Sequence, residues 1–115
     1  MLAVSIDEVR RFWDENPCGS NLSTEENRKR YFIEVESTRY QTERHIPEVA
    51  RFQEFHGRDV LEIGCGIATD GLQFAKHGAR YTGIDLSPAS VAIATERFGL
   101  YQLEGRLEVA NAEKL

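Results

Sequence analysis

Glu62, Gly64, Gly66 and Asp85 are the residues of this chain whose types and spacing could do chemistry. Gly64-Cys65-Gly66 follows a short apolar run, Val60, Leu61 and Ile63, which is interrupted only by the acidic Glu62. A helical pattern opens just after it, with Asp70 in its first turn. A buried strand, a tight glycine turn and a helix N-terminus, in that order, bring bare backbone N–H groups up to a ligand. Asp85 ends the next apolar run, Arg80 to Ile84, and Leu86 follows it. That is the carboxyl end of a strand, where open α/β sheets bind their ligands. A carboxylate there can accept hydrogen bonds from both ribose hydroxyls of a nucleoside.

Dinucleotide-binding domains share this layout. Their fingerprint, GxGxxG, needs a third glycine for close helix–strand packing beside a pyrophosphate. Thr69 stands at that position here, so a dinucleotide-dependent oxidoreductase is the weaker reading. A third segment, Ala110-Asn111-Ala112-Glu113, lies just beyond the next predicted strand, Arg106 to Val109.

Taken together, these three segments resemble class I S-adenosylmethionine-dependent methyltransferases, whose first motif reads acidic-x-Gly-x-Gly-x-small. The resemblance runs from Asp59 to Leu115, about half of the chain. It implies S-adenosylmethionine as cofactor. Glu62 would lie near the methionyl ammonium, and Gly64, Cys65 and Gly66 would pass beneath the methionine arm, with Asp70 opening the helix behind them. Asp85, with Leu86 beside it, would take the ribose. Asn111 would take the adenine amino group and the Ala112 N–H a ring nitrogen. Two positions depart from the pattern. Ala68 replaces the usual third glycine, which is accommodated at negative φ but would cost about 1–2 kcal/mol in a left-handed conformation. Asn111 replaces a commoner Asp, losing charge but keeping an acceptor.

The N-terminal half is similar to a bacterial small-molecule methyltransferase subgroup with a helical lid, through the run Phe12 to Gly19, Arg39-Tyr40 and His45-Ile46-Pro47. This implies a small-molecule methyl acceptor. It would place Tyr40 near the sulfonium, where a cation–aromatic contact is worth about 0.5–2 kcal/mol. The reaction implied is in-line methyl transfer, which works mainly by holding the reactants in line and excluding water. No residue in the sequence stands out as a catalytic base. The other readings are a cofactor-binding module without chemistry, or half of a heteromer.

The elements that must position these residues are legible in outline. Ser5 to Glu8 forms a capping box for a helix with Ile6, Val9, Phe12 and Trp13 on one face. Asn16 to Ser20 breaks the chain, and Ser23 to Glu26 caps a second helix running to about Tyr40, with Tyr31, Phe32 and Val35 buried. Pro47 fits the first turn of a third helix burying Val49, Phe52 and Phe55, with Gly57 as its stop. After Gly57 strands alternate with helices: a strand at 60–63, a helix at 69–77 stopped by Gly78, a strand at 80–84, a helix capped by Ser87-Pro88 and ending near Gly99, and a strand at 106–109. The expected fold is α/β and Rossmann-like, a parallel sheet in the order 3-2-1. Residues 1–57 form a helical lid segment, and 58–115 the first half of a cofactor-binding domain.

In the family, strand one lies between strands two and four. The sequence is expected to supply only the first three strands, so that strand one exposes an edge and invites a homodimer through that side. The net charge of −5 argues against a nucleic-acid partner. No stretch approaches the ~18 apolar residues of a membrane span. Cys18 and Cys65 have neither CxxC nor metal-ligand spacing, so no metal is expected, and reduced thiols fit a cytoplasmic protein.

Overall fold

A computed structural model describes residues 5–15 and 27–114, apart from the side chains of 12–15. The burial expected of Phe12 and Trp13, the break containing Cys18 and the cap at 23–26 lie outside the described residues.

Helix α1 spans Ile6–Glu15, and the Glu8 N–H donates to Ser5 Oγ at 3.1 Å, one half of the expected capping box. Helix α2 spans Arg28–Thr42 and takes Asn27 as its cap, Oδ1 accepting from the Arg30 N–H. Tyr31, Phe32 and Val35 are its buried residues, as their spacing required.

The third helix is shorter than its pattern suggested. Helix α3 covers only His45–Ala50, because Arg51 turns left-handed at φ 51°, and Phe52–Phe55 continues as a 3₁₀ turn. That break shifts the helical phase. Val49, expected inside, is 75% exposed, while Phe52 is buried and packs edge-on against Phe74.

Strands β1 (Asp59–Ile63), β2 (Arg80–Asp85) and β3 (Arg106–Val109) form one parallel sheet with β2 in the middle. Helix α4 (Thr69–Lys76) connects β1 to β2, and α5 (Pro88–Leu100) connects β2 to β3. Gly78, at φ +88°, follows α4 and turns the chain into β2. Ser87 caps α5, its Oγ accepting from the Ser90 N–H at 3.1 Å, with Pro88 at the first helical position as the sequence indicated. Helix α5 runs through Gly99 to Leu100.

Alternation sorts the sheet into two faces. Val60, Tyr81 and Leu107 point toward α4 and α5, where they meet Leu72, Ala75, Ala94 and Phe98. Leu72 has no exposed surface, and burying such a side chain stabilises by about 1.5–3 kcal/mol. The ring of Tyr81 fits where Gly71 of α4 and Gly83 of β2 leave no Cβ to obstruct it. On the other face Leu61 and Ile63 are 55% and 60% exposed, so the first strand is only half buried rather than fully so. Helix α2 packs over Ile67 and toward α5, and α1 lies against α5. No described helix is long and apolar enough to cross a membrane.

Candidate functional site

All three strands point their carboxyl ends at one cleft of about 410 Å³. Gly64, Gly66, Asp85, Leu86, Asn111 and Ala112 line it. Ile6 and Val9 of α1 also line it, and Arg10 Nε donates to Leu86 O at 3.0 Å, fixing that helix to the turn after β2. The sequence put Ile6 and Val9 on one face of a helix in the expected lid segment, without naming them as cleft residues. Their spacing marked an apolar stripe but could not say what it covers.

The glycine loop is fully tied. Gly64 and Cys65 both donate to Ile84 O, at 2.9 and 3.0 Å, with Gly64 at φ +74° and Gly66 at φ +55°. The Gly66 N–H donates to Asp85 Oδ2 at 2.9 Å, and the Ser87 N–H donates to Asp85 Oδ1 at 3.0 Å. One carboxylate therefore joins the loop after β1 to the turn after β2. An ionised carboxylate has about four lone-pair positions, so Asp85 keeps acceptor capacity toward the cleft. Asn111 Oδ1 accepts from the Glu113 N–H at 2.9 Å, shaping the short 3₁₀ turn Ala112–Lys114.

Four expected site residues lie away from the cleft lining. Glu62 sits on the helix-covered face of β1, where the Tyr81 hydroxyl donates to its Oε1 at 2.5 Å. Burial raises its carboxyl to about 7, against the opposing pull of the Tyr81 hydrogen bond, with the Asp70 charge adding to the rise. Cys65 is buried, and that burial pushes its thiol up to about 12, which leaves it a neutral packing group. Asp70 receives a two-pronged bond from Arg39, Nε to Oδ1 at 3.0 Å and Nη2 to Oδ2 at 2.8 Å. The Tyr40 hydroxyl donates to the same Oδ1 at 2.8 Å. Burial, then the nearby Asp70 charge, hold the Tyr40 phenol well above its ordinary range. Arg39 and Tyr40 thus clamp the end of α2 onto the first turn of α4.

Ala68 adopts the costly alternative. Its φ of 59° and ψ of 42° are left-handed, the conformation that asks about 1–2 kcal/mol of a residue bearing a Cβ. Two contributors that patterning missed are Tyr81 and Arg97, both buried. A polar tip on a strand and a cation on a helix each read as solvent-facing until their neighbours are known. Among the described residues no cluster of three metal-ligating side chains occurs.

Residues 60–115 match the methyltransferase domain family. This segment of the chain belongs to that family. A structure from work on the conversion of a disulfide bond into a thioacetal group during echinomycin biosynthesis is similar at 35% identity and a TM-score of 0.50, over 57% of this chain and 27% of its own. Magnesium protoporphyrin IX methyltransferase from Synechocystis PCC 6803, solved with bound SAH, aligns at 16% identity and a TM-score of 0.67 over 96% of this chain and 53% of its own. A protein from Pyrococcus horikoshii OT3 aligns at 19% identity and a TM-score of 0.62, over 91% of this chain and 41% of its own. The last two likenesses concern the fold alone. It is the α/β, Rossmann-like methyltransferase fold, and the chain spans between about a quarter and about half of these structures.

Proposed function

We propose that this chain binds S-adenosylmethionine in the cleft at the carboxyl ends of β1, β2 and β3, as the cofactor-binding part of a methyltransferase acting on a small molecule. The observation that carries the reading is the Asp85 carboxylate, held by Gly66 and Ser87 with acceptor capacity left toward the cleft. Two vicinal hydroxyls of a ribose suit such an acceptor. Gly64 and Gly66, which line the cleft, would carry the methionine arm, and Asn111 and Ala112, which also line it, the adenine. Family membership over 60–115 and the SAH-bound likeness in fold support the same assignment.

The roles of the remaining residues follow from their partners. Glu62, behind the loop, supplies negative charge to a bound ammonium in its ionised form, which that ammonium would itself favour. The Tyr40 hydroxyl donates to Asp70 and its ring tilts against Phe52, so Tyr40 braces α2 on α4 behind the cleft. When bound, the cofactor supplies an activated methyl group. The chain's own residues orient it and exclude water through the apolar walls formed by Ile6, Val9, Ile63 and Ile84.

Calorimetric titration with S-adenosylhomocysteine and with NAD tests the assignment. Binding of the first without the second is expected. Binding of NAD alone would replace this reading with a dinucleotide-binding one.

A further inference from the structure

Arg97 is the largest side chain with no exposed surface among the described residues. A guanidinium taken out of water is costly unless its N–H groups are bonded, and a carboxylate commonly answers it. Here Nη1 donates to Thr69 Oγ1 at 2.7 Å and to Ile67 O at 3.4 Å, and Nη2 donates to Phe32 O at 3.3 Å. Nε has no acceptor among the described residues. The carboxylate of Glu36 engages Gln73 and Lys76 instead.

The two Nη1 acceptors flank Ala68, the left-handed residue of the loop. The turn at Ala68 is what carries the chain from the glycines into α4. Its N–H donates to Cys65 O and its own carbonyl accepts from the Leu72 N–H, both at 2.9 Å. A residue with a Cβ leaves the left-handed region unless its surroundings over-determine it. Ala68 is buried in the same apolar cluster as Leu72, Ala94 and Phe98, so alanine is useful there once the backbone is held.

We propose that Arg97 is the positioning residue of the glycine loop, its guanidinium clasping Ile67 and Thr69 so that Ala68 stays left-handed and Gly64 and Gly66 face the cleft. Through Phe32 O the same group ties the loop to α2. The proposal rests on the reading of the cleft as the cofactor site. It also explains a buried cation whose shortest hydrogen bond goes to a hydroxyl, with the Phe32 ring centroid 5.0 Å from the guanidinium carbon: the acceptors sit where the loop must be held.

A glycine at position 68 needs no clasp, which supplies the test. Arg97→Lys and Thr69→Val, each alone and combined with Ala68→Gly, are compared with the unaltered chain and with Ala68→Gly. Thr69→Val removes the shortest contact with little change of shape, and serves where Arg97→Lys fails to fold. The readouts are S-adenosylhomocysteine affinity, hydrogen exchange at the amide of residue 68, and unfolding by urea. Loss of a buried charge-assisted bond is expected to weaken affinity by about tenfold and to speed that amide's exchange, and the Ala68→Gly background to cut the loss to about threefold or less. Equal losses in both backgrounds would overturn the proposal, since a purely packing role gains nothing from glycine. Unchanged affinity and exchange in the single variants would overturn it too. If the unaltered chain does not bind S-adenosylhomocysteine, the reading of the cleft falls. Exchange and unfolding then decide the inference alone, non-additivity between positions 97 and 68 supporting it and additivity overturning it.

Discussion

The Gly66 N–H donates to Asp85 Oδ2 at 2.9 Å, so the loop after β1 and the end of β2 hold one carboxylate between them. The link sets the loop before any ligand arrives, and preorganisation of this kind lowers the ordering cost of binding. It also makes Asp85 responsible for two things at once, the loop's shape and the proposed ribose contacts.

Asp85→Ala is therefore expected to weaken S-adenosylhomocysteine binding by about 1.5–3 kcal/mol, from lost charge-assisted hydrogen bonds and a loosened Gly66. Calorimetry on the folded variant checks this. An unchanged affinity would remove Asp85 from the site.

Glu62 makes stability depend on pH in a direction opposite to most carboxylates. An ordinary glutamate titrates at 4.5, and burial raises this one to about 7. Between those values the folded chain holds a proton that the unfolded chain has released. The contribution of Glu62 is thus fully present below the lower value, and it is lost as pH rises through the upper one. The loss is on the order of 2–4 kcal/mol. Glu62→Gln should flatten this slope in urea unfolding followed from pH 4.5 to 8. A slope shared by both proteins would mean that Glu62 is not the group responsible.

Gly71→Ala is expected to destabilise the chain by about 1–3 kcal/mol, the usual cost of overpacking. The added Cβ would strike the Tyr81 ring and hydroxyl, and displacing Tyr81 would also remove the hydrogen bond on Glu62. A substitution in an open position, Gly99→Ala, meets nothing within 4 Å and should be mild by comparison. Equal effects at the two sites in denaturant unfolding would contradict this account of the core.

These cases separate what was legible in the sequence from what was not. Ser87-Pro88, Gly78 and the strand at 106–109 came out as read, because caps, stops and short strands are set within a few residues. The three-strand order followed from alternation of strands and helices, and the glycine loop from residues contiguous in sequence. Val49 was misplaced because one left-handed residue, Arg51, ends its helix and takes Phe52 out of phase with it. Tyr81, Arg97 and the Arg39–Asp70 pair were invisible for another reason. Their partners lie 19, 28 and 31 residues away, and only the folded arrangement brings them together.

The edge of β1 supplies the last prediction. Among the described residues it pairs with β2 on one side only, and on its open face Leu61 and Ile63 are more than half exposed. A parallel strand with apolar side chains and an unpaired row of backbone groups is a template for association. Covering it with a second copy would be expected to follow two-fold symmetry, the commonest arrangement in homo-oligomers. The isolated chain should therefore sediment as a dimer at micromolar concentration, and Leu61→Glu, which places charge on that face without touching the cleft, should shift it toward monomer. Because Leu61 lines neither the cleft nor the helix-covered core, the monomeric variant should keep its affinity for S-adenosylhomocysteine. A chain that sediments as a stable monomer before any substitution would leave β1 without a role in assembly.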